Sequence, residues 1–177
     1  MLETPRPTLL SSCAMAATAA EARFRVPYPN SRDRASRIFA LDQGAAEAMY
    51  RITEDPWHGA HFLTVAPGAE GLDPEAAKAD AVPLTKPDGS PAKLSDEVAG
   101  ADVVVLLASA GTNEGAAEVI AREAWKQHTM IAALALAGGR DGKAVDRVVN
   151  ALRPLATVLV VARDDDFIPA MLTALRA

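Results

Sequence analysis

"DVVVLLASAGTNEGAAEVIA", residues 102–121, decides the fold. Its first part is a continuous apolar run, too short for a helix and without the alternation of a half-buried strand. It therefore reads as a strand covered on both faces. Its last part spaces apolar residues as one face of a helix. Between them lies a turn carrying Gly111 and Gly115. A strand, a glycine-bearing turn and a helix start form a common way of holding an anion, because the first helical N–H groups lack intrahelical acceptors.

The same rhythm extends outward from this unit. "RIFAL" (37–41), "HFLTVA" (61–66), "MIAALALA" (130–137) and "TVLVVA" (157–162) read as further strands. Helices are expected at 44–53, 94–100, from the 109–115 turn to about His128, at 143–152 and up to Leu175, with Ser95 capping the second. "DAVPL" (80–84) is a short strand that Pro83 places at an edge, and "TKPDGSPAK" (85–93) is a surface loop. Strands alternating with helices predict an α/β protein with a doubly wound, mainly parallel sheet of about six strands and helices on both faces. Residues 36–177 form that single Rossmann-like domain. Residues 1–35, with Pro5, Pro7, Pro27 and Pro29 and no sustained period, are expected to be a partly flexible extension.

Composition narrows the function. The chain has 177 residues, 50% of them apolar and only 5% aromatic, with a formal charge of −5. Acids and bases are interspersed, so no basic stripe offers counterion release to a nucleic acid. The single cysteine, Cys13, gives neither an internal disulfide nor a cysteine-rich metal site. "LSSC" (10–13) has the ending of a lipoprotein signal, but "MLETPRPTL" before it lacks a basic start and an apolar core. No run approaches the ~20 apolar residues that span a bilayer. The expectation is a cytoplasmic protein that binds neither membrane nor nucleic acid.

Ligands of open parallel sheets sit at the carboxyl ends of the strands, near the reversal of strand order. The loops of interest are 42–46, 66–71, 109–115, 138–142 and 163–166. A dinucleotide fingerprint is missing, since "DQGAAEA" after the first strand holds one glycine and no acid ends the second strand. A Walker loop is also missing. In the 109–115 loop, Gly111 and Gly115 permit close backbone approach and Thr112 offers a hydroxyl. Yet Glu114 puts negative charge where a phosphate would sit, and the plain reading is that Thr112 caps the helix and Glu114 complements its dipole. "RDDD" (163–166) reads as a helix start before it reads as a metal site, and His58, His61 and His128 lie in separate elements; no metal is expected. Trp57 and His58 are expected to pack over the end of the sheet.

The segment "LSDEVAGADVVVLLASAGTNEGAAEVIAREA" resembles the GTP-binding domain of the cell-division GTPase FtsZ, a relative of tubulin. That family has a glycine-rich turn ending "GTGTGAAPVIA", and "GTNEGAAEVIA" keeps Gly111, Thr112, Gly115, Ala116 and Ala117 in frame. The likeness covers roughly residues 36–175. It implies a ligand site built from Gly44, Gly111, Thr112, Asn113 and Gly115, with Asp141 toward a ribose and Asp164 and Asp165 toward a guanine edge. It also exposes losses. Glu47 replaces the family's asparagine, Asn113 and Glu114 replace an inner glycine and a threonine, and the phosphate-reaching arginine falls on or near Val145. A charge pair at about 4 Å is worth ~4 kcal/mol near a protein surface. A triphosphate facing two new carboxylates therefore loses much of its affinity.

The sequence ends after the helix that follows the last strand, so the family's "NxDxxD" catalytic loop has no counterpart in it. The resemblance thus implies a non-catalytic relative, without GTP hydrolysis and without GTP or another cofactor, that acts on a protein partner or a second copy of itself. Two alternatives stand beside it: a binder of a nucleoside or small phosphate-bearing ligand at the strand ends, and an enzyme of another class using the same sheet edge. No catalytic residue is assigned.

Overall fold

The computed structural model describes residues 33–53, 57–110, 113–163, 167–175 and Ala177. Of the residues singled out above, those of the extension up to 32, together with Gly111, Thr112 and Asp164, Asp165 and Asp166, lie outside the described residues.

The elements follow in the order β1 (Ser36–Ala40), α1 (Gln43–Tyr50), β2 (Ala60–Val65), a 3-10 turn (Ala79–Ala81), β3 (Leu84–Thr85), β4 (Pro91–Ala92) and α2 (Leu94–Val98). Then come β5 (Val103–Ala108), α3 (Glu114–Lys126), β6 (Met130–Leu136), α4 (Gly142–Leu152), β7 (Val158–Ala162) and α5 (Phe167–Leu175). One α/β sheet of seven strands results, ordered β4-β3-β2-β1-β5-β6-β7, with β1, β2, β5, β6 and β7 parallel.

The expected count of about six strands is corrected to seven, and the difference lies in one turn. Pro87 and Gly89 close a loop in which Gly89 N–H donates to the Lys86 carbonyl, while Asp88 accepts from the amide and hydroxyl of Ser90. Gly89 sits at φ +83°, which a side chain would strain. The segment read as a loop is therefore a hairpin that pairs β3 and β4 antiparallel on the outside of β2. Pro91 is tolerated there because β4 is an edge strand and its nitrogen is not needed in the ladder.

β5 is buried at all six positions, as its unbroken valine and leucine run requires of a central strand. Alternate residues face opposite cores. Val104, Leu106 and Ala108 join Phe39, Ile131 and the inner faces of α2, α3 and α4. Val103, Val105 and Leu107 join Ile38, Leu134 and the inner faces of α1 and α5. Removing one such side chain, for example by Leu106→Ala, costs about 2–5 kcal/mol through lost transfer energy and the cavity left.

Helix α3 shows why alanine dominates the composition. Ala116, Ala117, Ala121 and Ala124 line its buried face with Val119 and Ile120, so its backbone lies close to the sheet. The helix ends on His128, at φ 55°, with the Thr129 amide donating back to the Ala124 carbonyl. Ser95 does not cap α2, which starts after Lys93 without a side-chain bond; the Ser95 amide instead donates to the carboxylate of Asp80 at 3.0 Å. Trp57 packs edge-on against Phe62, ring centres 6.5 Å apart, and its Nε1 donates to the Ile52 carbonyl. His58 is exposed. No described helix is long and apolar enough to cross a membrane.

Candidate functional site

Strand order reverses between β1 and β5. From β1 the chain moves to β2 on one side, and from β5 it moves to β6 on the other. Their carboxyl ends therefore leave a crevice between diverging connections, the usual seat of a ligand in such sheets.

Asp42 occupies it. This residue follows β1 and caps α1, its Oδ1 accepting from the Ala45 amide at 3.0 Å. Its Oδ2 accepts from the amides of Ser109, at 2.6 Å, and Ala110, at 2.9 Å, both just past β5. The Ser109 hydroxyl also donates to Oδ1. The carboxylate, only 7% exposed, thus takes three amides and a hydroxyl of the kind that would cradle a bound anion. Burial pushes its carboxyl pKa up, but the hydrogen bonds from Ser109, Ala110 and Ala45 together outweigh this and hold it below the ordinary value.

Two more residues close the crevice. Asn113, at the start of α3, donates from Nδ2 to the Leu41 carbonyl at 2.5 Å and ties the β5 loop to the end of β1. Its Oδ1 is buried without a partner. Arg140 approaches from the β6–α4 loop, where Gly138 and Gly139 take φ of +39° and +72° to turn the chain back. A Cβ built on Gly44 would lie 2.8 Å from its Nη2 and nearer still to the Ser109 hydroxyl. Gly44 is thus needed for close packing at the start of α1.

The structure brings Gly44 and Asn113 to this crevice from the two sides of the strand reversal. Asp141 stands exposed at the N-cap of α4, beside Arg140, and makes no cap bond. Gly115 has another reason to be glycine: a Cβ there would overlap the carbonyl oxygen of Leu72, which crosses over α3. Glu47 lies exposed on α1, bonded to Gln43 at 3.0 Å, and Glu114 is exposed in the first turn of α3. The acid that fills the crevice is Asp42, which sequence reasoning passed over. Its one local signal was an aspartate between a strand and a helix, the ordinary mark of an N-cap. Arg140 carried no such signal: the arginine that the family resemblance implies falls on or near Val145.

A second polar cluster lies at the opposite end of the sheet. Glu97, near the end of α2, meets His61 Nδ1 at 2.7 Å, Lys86 Nζ at 3.2 Å and Arg37 Nε at 3.3 Å. Arg37 Nε also donates to the Glu97 carbonyl at 2.8 Å, which fastens α2 to β1. The cluster joins β1, β2, the hairpin and α2, and it stands away from the strand reversal.

No protein-family model matches the chain, and no curated protein matches it.

Proposed function

We propose that this protein is a cytoplasmic, non-catalytic FtsZ/tubulin-like domain that neither hydrolyses nor binds GTP and that acts through contact with another protein. One observation carries the reading: the Asp42 carboxylate takes the amides of Ala45, Ser109 and Ala110 at the strand reversal. A phosphate entering there would have to displace an internal anion held by four hydrogen bonds, and would meet like charge if it did not. The loops that a nucleotide needs are used instead to lock β1, β5 and α1 together.

One observation favours a second reading. The Arg140 guanidinium, next to Gly44, makes no hydrogen bond or ion pair among the described residues. It offers a cation to a small anionic or nucleoside ligand lying over the crevice instead of inside it. Thermal shift of the full chain with GTP, GDP, guanosine and inorganic phosphate separates the two. The first reading expects no saturable rise with any of them. A saturable rise with GTP overturns it, and a rise with guanosine or phosphate alone that Arg140→Ala abolishes establishes the second.

A further inference from the structure

A groove follows the outer side of α3, walled on one side by the loop after β2 and on the other by the end of α4. One section, of about 380 Å³, lies between Leu72, Glu118 and Leu155. It continues past Pro74 and Glu118 into a section of about 320 Å³ that ends at Trp125. At its other end, Glu114 and Ala151 also border the small apolar crevice lined by Asn113.

The walls are fixed before anything binds. The carbonyl of Leu72 packs on Gly115, and Arg122 of α3 donates to the carbonyls of Pro74 and Ala77. That engagement occupies guanidinium N–H donors of Arg122, whose positive charge stays at the groove wall. Beyond Arg122, the groove offers apolar surface, Asn150 and carboxylates. Glu75, Glu114 and Glu118 are exposed, and none makes an ion pair among the described residues. Trp125 is 48% exposed. Asn113, 7% exposed, keeps an unpartnered acceptor in the adjoining crevice.

Three unpaired carboxylates and an open indole along the groove call for an occupant rich in positive charge that also has apolar side chains to cover Leu72, Pro74 and Leu155. We infer that this groove docks a basic amphipathic segment of a partner protein. Its lysines or arginines face Glu75, Glu114 and Glu118, one cation stacks on Trp125, and its apolar side rests on the groove floor. The inference names the partner for the protein-contact half of the proposed function and rests on that half alone.

The test is fluorescence anisotropy of a labelled 14-residue lysine/leucine amphipathic peptide titrated with the full chain, beside a glutamate/leucine peptide of the same length. Saturable one-to-one binding of the basic peptide alone is expected. Glu118→Lys and Trp125→Ala each weaken it about tenfold. Glu47→Lys, the same charge change on α1 across the sheet, alters it less than about twofold. Equal weakening by Glu47→Lys and Glu118→Lys would reveal unlocalised charge attraction and overturn the proposal, as would the absence of saturable binding. Self-association that Glu118→Lys abolishes would overturn it in favour of a second copy of this chain. GTP binding by the same preparation would defeat the reading that Asp42 fills the crevice and leave the peptide result standing.

Discussion

Asp42 and Ser109 stand at the ends of adjacent parallel strands, and both the amide and the hydroxyl of Ser109 donate to the Asp42 carboxylate across 67 positions of sequence. The pair joins the two halves of the sheet at the place where the chain reverses its direction of winding. The Asp42 carboxylate there accepts the amides of Ala45, Ser109 and Ala110 and fastens the two strand ends to α1.

Removing that carboxylate is therefore costly. Asp42→Ala leaves the amides of Ala45, Ser109 and Ala110 without their acceptor and strips α1 of its cap. The expected loss is about 3 kcal/mol, the sum of a lost cap and stranded donors. Urea denaturation of the variant and the wild type measures it. A loss below about 1 kcal/mol would show that solvent replaces the carboxylate easily.

Acid stability follows from two carboxylates. In Asp42 burial raises the pKa and hydrogen bonds lower it further than burial raises it; in Glu97 burial is likewise outweighed, by His61 and Lys86. Both pKa values lie below their unfolded values, so the stabilisation is complete above the ordinary carboxylate range of about 4 and is lost as pH falls through the folded values. Unfolding free energy from these groups should be level between about pH 7 and 5 and fall below about pH 4. Asp42→Asn should lower the plateau and flatten the fall. An undiminished acid slope in that variant would remove Asp42 from the account.

Gly115 tests why the first turn of α3 holds a glycine. Alanine would gain about 1 kcal/mol in helix propensity, but its Cβ would strike the Leu72 carbonyl. A net loss of about 1–3 kcal/mol is expected, together with faster proteolysis in the loop around Leu72. A stabilised Gly115→Ala variant would show that the loop yields without cost.

His128 is a non-glycine residue held at φ 55° at the end of α3. His128→Gly relieves that conformation and should add about 0.5–1 kcal/mol, seen as a higher denaturation midpoint at unchanged slope. A loss would mean that the imidazole makes a contact worth more than the backbone strain.

Much of the fold was legible in the sequence. "VVVLLA" is apolar at every position because β5 is covered on both faces, and an unbroken run too short for a helix reveals that. The hairpin was missed because two-residue strands carry no period, and their pairing is set by the turn at Pro87 and Gly89. The candidate site was less legible. Gly44 and Asn113 were named from the family resemblance, whereas Asp42 was not singled out: it stands where any helix cap stands, and nothing local shows its other oxygen reaching Ser109. Gly115 was read as room for a ligand and proves to be room for Leu72. Close approach between distant segments leaves only a glycine in the sequence, without the identity of what approaches.

The most direct test is the melting temperature of the wild type and of Asp42→Gly across a series of inorganic phosphate concentrations at fixed ionic strength. With the carboxylate gone, the three amides and Arg140 face an empty crevice, and phosphate should restore part of the lost stability with saturation. The wild type should show no saturable response to phosphate or to GTP. A wild type stabilised saturably by either, with Asp42→Gly unresponsive, would contradict the claim that Asp42 stands in the place of a bound anion.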